Sequence, residues 1–274
     1  MRIDYHKWRA FKDCPKKFHL QHIKKEPVTV PTNDYFKLYG VLTQRFFQMY
    51  CNIWRFKTPY LFPEIIRERL EKLYRGVLLA STVDWDAKGV KLTEEEVLEQ
   101  SYASICAIME SQNQNYFLNT KSEITIEIKT RNNDVINGRI DFIHHPPTSK
   151  DIIIIDGKGT ETLGKNIDKN QLFFYALLCY FKYNIIPAQM GFFYYKFNTF
   201  APIPIDVNSL NKFRAELSLD IKSMTEGKNY PATPGTKACR YCLYKDKCSE
   251  ATKIKKKATS KLELDGDGLV SFGF

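Results

Sequence analysis

Through the first third of the chain, apolar and polar positions recur at helical spacing. From Tyr5 to Lys24 aromatic and aliphatic residues keep that spacing, broken at Cys14-Pro15. A second apolar-rich helix is predicted over Asp34–Trp54, and Pro63 opens a third running to about Arg75. Thr93 and Glu96 stand three apart, the spacing of a capping box, before a helix reaching about Asn113. The period then changes from helical to two. Ser122–Lys129 alternates, with Ile124, Ile126 and Ile128 on one face and Glu123, Thr125 and Glu127 on the other, which predicts a half-buried strand. After the turn residues Asn132-Asn133-Asp134, Val135–His144 reads as the next strand.

Four consecutive isoleucines in Asp151–Asp156 predict a central strand buried on both faces. A helix over Asp168–Tyr183, an aromatic strand over Gly191–Phe197 and a helix over Val207–Glu226 complete the pattern. The order of elements predicts an α/β core with helical decoration. One domain is expected over residues 1–250: a helical part to about 115, a core over about 120–200, and a C-terminal helix with a cysteine segment over about 205–250. Residues 251–274, lysine-rich and then acidic and aromatic, read as a flexible tail with the potential to dock a partner.

Composition narrows the class of function. The net charge of +10 and pI near 9.1 favour a polyanionic partner, most often nucleic acid. No run approaches the ~18 apolar residues of a membrane span, and the first residues do not open a signal peptide, so a cytoplasmic location is expected. Seven cysteines are an odd number in a compartment that disfavours structural disulfides. Cys51, Cys106 and Cys179 sit in apolar helical stretches and read as small buried hydrophobes. Cys14, Cys239, Cys242 and Cys248 lie among polar residues and need another explanation.

The isoleucine strand ends in Asp156-Gly157-Lys158, and the strand before it carries Gly138-Arg139-Ile140-Asp141. If the two strands are neighbours, Asp141 and Asp156 converge with Lys158 beside them. Two carboxylates plus the Gly157 carbonyl suit a hard Mg²⁺ or Mn²⁺ ion, which polarises a phosphate, while lysine offsets developing charge. Gln171 and Tyr175, four apart on the following helix, share a face that can order phosphate or water. Glu123 is a possible further acid, and His144 and His145 read as loop residues before Pro146-Pro147. A near match to a phosphate-binding loop, Gly159-Thr160-Glu161-Thr162-Leu163-Gly164-Lys165-Asn166, lacks the Ser or Thr that holds Mg²⁺, which argues against an ATPase. Aromatic residues mixed with lysines, as in Phe192-Phe193-Tyr194-Tyr195-Lys196 and Tyr241…Tyr244-Lys245, suit single-strand gripping, although strand aromatics are usually core.

These residues resemble the PD-(D/E)XK nuclease superfamily, in the branch of the RecB and AddB nuclease domains and the CRISPR-associated RecB-like exonucleases. Gly138-Arg139-Ile140-Asp141, Asp156-Gly157-Lys158 and Gln171…Tyr175 carry the resemblance, together with the opening Trp8…Phe11…Cys14-Pro15-Lys16-Lys17-Phe18. It implies a restriction-endonuclease-like mixed sheet flanked by helices, and exonuclease action on single-stranded DNA ends in repair, recombination or processing. A helicase or recombination protein is then an expected partner, engaged through the tail. The family commonly has Gly, three residues, then a metal-binding His; here the segment reads Gly40-Val41-Leu42-Thr43-Gln44, so Gln44 is a candidate ligand offering only a carbonyl oxygen. A non-catalytic DNA-binding subunit with a degraded site is the alternative that Gln44 favours.

Cys239-x-x-Cys242 followed by Cys248 makes three thiolates in a tight group, with Cys14 far upstream as the fourth, where the resemblance places a cluster cysteine. Four thiolates hold a [4Fe–4S] cluster, which would staple the N-terminal helix to the C-terminal loop. A structural zinc ion stays open as the rival, and with it an adaptor whose aromatic tail recruits a partner.

Overall fold

The computed structural model describes residues 1–28, 35–57, 61–86, 90–160, 162–164, 167–235, 239 and 242–251. In chain order the elements are β1 (Arg2–Ile3), α1 (Tyr5–Asp13), α2 (Pro15–Phe18), α3 (Tyr35–Asn52), α4 (Pro63–Leu79), α5 (Glu94–Met109), α6 (Asn115–Leu118), β2 (Thr120–Lys129), β3 (Val135–His144), β4 (Ile153–Lys158), α7 (Lys169–Tyr183), β5 (Gln189–Tyr194), β6 (Thr199–Ile203) and α8 (Val207–Glu226). They form two compact units, Met1–Arg2 with Pro31–Glu216, and Ile3–Val30 with Leu217–Phe274.

The first unit holds a mixed sheet in the order β1-β3-β4-β5-β6, with β2 also paired to β3. β2 and β3 form a long antiparallel pair from Thr120↔His144 to Lys129↔Val135. β3 and β4 are antiparallel, β4 and β5 parallel through the α7 crossover, and β5 and β6 antiparallel. Ile154 and Ile155 are fully buried because β4 has a neighbour on each side, as the isoleucine run predicts. Helices flank the sheet. Leu42, Phe46 and Phe47 of α3 and Phe117 of α6 pack with Phe142, Ile155 and Phe193 in one core. Tyr175 and Leu178 of α7 close over Gly138, where a Cβ would lie 2.7 Å from Leu178 Cδ1.

The boundaries follow local chemistry. Thr93 and Glu96 form the capping box reciprocally at the start of α5, and Asp168 caps α7 by accepting from the Asn170 N–H at 3.1 Å. Asn184, in the left-handed region at φ 55°, ends α7. α4 continues to Leu79, one turn past the expected end, and α5 stops at Met109 before a 3-10 turn at Gln112–Gln114. The aromatic strand breaks at Tyr194, and Tyr195–Phe197 is a 3-10 turn leading into β6. His144 closes β3 as the predicted strand bounds have it, and not the loop that its position before Pro146-Pro147 also suggests: it is buried and its Nδ1 lies 3.1 Å from Thr120 Oγ1. Cys51 and Cys179 are buried as expected, while Cys106 is half-buried.

In the second unit α1, α2, the π-helical turn His19–Ile23, the latter part of α8 and the cysteine segment meet through specific contacts. Trp8 Nε1 donates to Asp220 Oδ2 at 2.8 Å, the Lys16 N–H donates to the Pro231 carbonyl, and His19 stacks on Tyr230 at 4.8 Å. Thr233 Oγ1 donates to the Asp13 carbonyl at 3.0 Å, and Lys247 Nζ to Glu26 Oε2 at 2.7 Å. Among the described residues no helix is long and apolar enough to cross a membrane. The expected tail lies outside the described residues from residue 252 onward, as do Asp34, Tyr241 and, in the near phosphate loop, Glu161, Lys165 and Asn166.

Phe117 is fully buried, with its ring 4.2 Å from Phe47, 5.1 Å from Phe193 and 5.4 Å from Phe142. Phe117→Ala is expected to cost about 3–5 kcal/mol, read as a lowered urea midpoint.

Candidate active site

The β3–β4 ladder ends at Phe142↔Ile155. One step further, its antiparallel register sets Asp141 opposite Asp156. Like charges directly across a strand pair repel, and Asp156 is only 2% exposed, so two carboxylates here oppose the stability of the sheet. Desolvation first, then the neighbouring Asp156, push the Asp141 carboxyl up to about 8; Glu123 adds to the rise, while the Gly157 N–H and Lys158 act against it. The Gly157 N–H donates to Asp141 Oδ2 at 3.1 Å.

Lys158 Nζ lies 2.5 Å from Asp156 Oδ2 and donates to Gln171 Oε1 at 3.3 Å. Gln171 Nε2 in turn donates to the Tyr175 hydroxyl at 3.1 Å, so the pair four apart on α7 acts as a chain running back to the strand end. Burial, then Asp156, raise the Tyr175 phenol and keep it protonated. The structure thus brings together Asp141, Asp156, Gly157, Lys158, Gln171 and Tyr175.

Gln44 stands apart from this chain. α3 crosses the end of β4 where two glycines touch: a Cβ on Gly159 would fall 2.4 Å from Gly40 Cα. Gln44 lies one turn beyond that crossing, half-buried, and makes no hydrogen bond to either aspartate among the described residues. Gln48, a further turn along, donates through Nε2 to Glu123 Oε1 at 2.6 Å, and Arg139 Nε lies 2.8 Å from Glu123 Oε2. Glu123 does not keep the outward alternation expected of it. Its φ of 57° departs from strand geometry and its side chain is held by Gln48 and Arg139, within electrostatic reach of Asp141. Gln48 is visible in sequence only as the next i+4 position after Gln44. Tyr195 is a second residue without a sequence signal: it is buried against Gly157, and its hydroxyl has no hydrogen-bond partner among the described residues.

Cys14, Cys239, Cys242 and Cys248 of the second unit line one cavity of about 420 Å³. Burial acts to raise the Cys14 thiol, but the Thr233 amide and hydroxyl and the amides of Lys17 and Lys16 outweigh it and hold the group below the ordinary thiol value. Such polarisation favours the thiolate that binds metals. Among the described residues no three His, Cys, Asp or Glu side chains converge closely enough to hold a metal ion; the thiols line the cavity without meeting at its centre.

A model of the PD-(D/E)XK nuclease superfamily matches residues 5–249. The chain belongs to this superfamily. The central mixed sheet flanked by helices is the restriction-endonuclease-like fold that membership implies. No curated protein matches the chain. Among solved structures it is similar to a protein from Eubacterium rectale named "putative exonuclease", at 8% identity over 88% of this chain and 87% of that one, with a TM-score of 0.51. The structure of SSO0001 matches at 14% identity over 90% and 85% of the two chains, with a TM-score of 0.40. PD-(D/E)XK nucleases commonly use Mg²⁺ or Mn²⁺. The donor set fits: two opposed carboxylates, one of them raised by burial and by the other, are the hard oxygens such an ion takes.

The raised Asp141 carboxyl makes the stability of the metal-free chain depend on pH. Its folded value near 8 exceeds the ordinary carboxylate value, so over that interval the folded state holds a proton that the unfolded state has lost. This contribution to stability is complete at low pH and is lost as pH rises from about 4 through about 8. In EDTA the wild-type urea midpoint is expected to fall between about pH 5 and about pH 8, and Asp141→Asn is expected to flatten that fall.

Proposed function

We propose that this PD-(D/E)XK nuclease is a Mg²⁺- or Mn²⁺-dependent deoxyribonuclease that degrades DNA from single-stranded ends in repair, recombination or processing, working beside a helicase or recombination partner in the cytoplasm. The opposed Asp141–Asp156 pair with Lys158 held against it is the observation that carries this reading. Asp141, Asp156 and the Gly157 carbonyl would hold the cation, which supplies a Lewis acid for the scissile phosphate. The Lys158 ammonium orients water and offsets charge developing on phosphate. Gln171 fixes that ammonium by accepting from it, and by donating to the Tyr175 oxygen leaves the phenolic proton for a phosphate oxygen. In the Gly40…Gln44 segment Gln44 contributes at most a carbonyl oxygen, which lowers metal affinity relative to a histidine.

Gln44 also favours a second reading, a subunit that binds DNA without cutting it. Cleavage of end-labelled single-stranded DNA separates the two. The wild type is expected to cut with Mg²⁺ or Mn²⁺ and not in EDTA, Asp156→Ala and Lys158→Ala to lose about 100-fold or more in rate, and Gln44→His to tighten Mn²⁺ binding. Binding without cleavage under either metal would leave only the second reading.

The four cysteines are proposed to hold a [4Fe–4S] cluster. That all four line one cavity supports a centre shared among them. Anaerobically purified protein is expected to carry about four irons per chain with visible charge-transfer absorption, and Cys14→Ser to lose iron and unfold at lower temperature. One zinc and no iron would overturn the assignment.

A further inference from the structure

Beside Glu123 and Arg139 opens a cleft of about 1090 Å³. One wall is α3, which presents Val41, Gln44, Arg45, Gln48 and Met49; the other is α4, which presents Arg69, Lys72, Leu73, Gly76 and Val77. Each set recurs at three and four residues, so each is one face of its helix. Four cations line the cleft, Arg45, Arg69, Lys72 and Arg139, against two acids, Glu68 and Glu123. Glu123 is already occupied by Arg139 and Gln48. Arg45 is hydrogen-bonded to Gln48 at 3.3 Å, and neither it nor Arg69 nor Lys72 forms an ion pair among the described residues. Arg69 is also held in place. Its guanidinium carbon lies 4.6 Å from the centre of the Trp54 ring, and its Nη1 is shielded from water with no hydrogen-bond partner among the described residues.

Four cations against two acids leave the cleft net positive even with Glu123 engaged by Arg139 and Glu68 acting on Arg69, and such a surplus attracts an anion. Arg139, which lines the cleft, lies two residues before Asp141 on β3, so both side chains leave the same face of that strand. The flanking pairs Ser122↔Phe142 and Ile124↔Ile140 set Glu123 of the cleft across from Asp141; an anion lying in the cleft therefore leads to the candidate carboxylates. Trp54 lines the cleft beside the cations, and a ring next to positive charge suits an unpaired strand whose bases stack. At Gly76 a side chain would meet nothing within 4 Å, so part of the α4 wall is open space rather than packing.

Resting on the nuclease reading above, we propose that the α3–α4 cleft is the path by which a single nucleic-acid strand reaches the carboxylates, its phosphates held by Arg45, Arg69 and Lys72 and by the Trp54-backed guanidinium in particular.

The test uses the full chain with a fluorescein-labelled oligothymidylate of about 20 nucleotides, titrated in EDTA at several salt concentrations so that binding is read apart from cleavage. The double variant Arg69→Ala/Lys72→Ala is expected to bind at least about tenfold more weakly, and its slope of log affinity against log salt to be shallower by about 1.4, or ~0.7 for each phosphate contact removed. Gly76→Phe fills the open space without a local clash and replaces a poor helix former, so its thermal midpoint is expected to hold. It should slow cleavage of the oligonucleotide with Mn²⁺ while leaving hydrolysis of bis(p-nitrophenyl) phosphate unchanged. Wild-type cleavage with unaltered affinity and salt slope in the double variant would overturn the inference and leave the nuclease reading standing, as would preference for blunt duplex over single strand. A wild type that neither binds nor cuts the oligonucleotide would overturn both.

Discussion

Two carboxylates facing each other across neighbouring strands, Asp156 buried and Asp141 half-buried, are a constraint the surrounding structure has to answer. Asp141 and Asp156 cannot both be charged there without added positive charge, and desolvation and mutual repulsion leave Asp141 protonated well above the ordinary carboxylate range. The Gly157 N–H on Asp141 and the Lys158 ammonium on Asp156 meet part of the need. Replacing both aspartates by apolar residues would relieve the sheet more simply, which is what makes the pair a candidate site for a cation. The glycines around it fit the same view. Gly40 and Gly159 bring α3 against the end of β4, Gly138 admits Tyr175, and Gly157 accommodates the Tyr195 hydroxyl, where a Cβ would fall 2.0 Å away.

Much of this arrangement could be read from the chain because burial and period coincide. The isoleucine run named the central strand, the period-two stretch named its antiparallel neighbour, and their aspartates then had to meet if the strands paired. Gln171 and Tyr175 followed from helical spacing. What escaped the reading follows from departures from period. Glu123 adopts a positive φ, and one residue in that conformation re-aims a side chain that alternation sends to solvent. β6 hides behind Pro202 and Pro204, which mark a segment as loop; the structure tolerates Pro202 because β6 pairs only with β5. His144 looked like loop because Pro146-Pro147 follow closely, yet its bond to Thr120 extends the β2–β3 pair to its last residue. Tyr195 sits in an aromatic run where nothing distinguishes a ring that packs from one whose hydroxyl reaches the site.

Gln44 and the cysteines show how one motif can carry separable demands. Gly40 is explained by its contact with Gly159 whatever stands four residues later, so a glutamine at position 44 does not loosen the packing of α3 against β4. The helix therefore keeps its place independently of the residue at its next turn, Gln44. Polar groups take over nearby: Gln48 binds Glu123, and Arg139 draws the same acid toward the cleft.

In the second unit the N-terminal helices and the cysteine segment are joined by hydrogen bonds that involve no thiol, from Trp8 to Asp220, Lys16 to Pro231 and Lys247 to Glu26. Cys14 is the exception, since its sulfur accepts from the Thr233 N–H at 3.5 Å. A centre bound by the four cysteines would therefore reinforce contacts that already exist rather than create them. Its contribution would be greatest in the unfolded chain, where tying Cys14 to Cys239 closes a very long loop. A staple of that kind would add stability away from the candidate site, whereas the carboxylate pair of the first unit gives up stability where it stands, as a functional site is expected to.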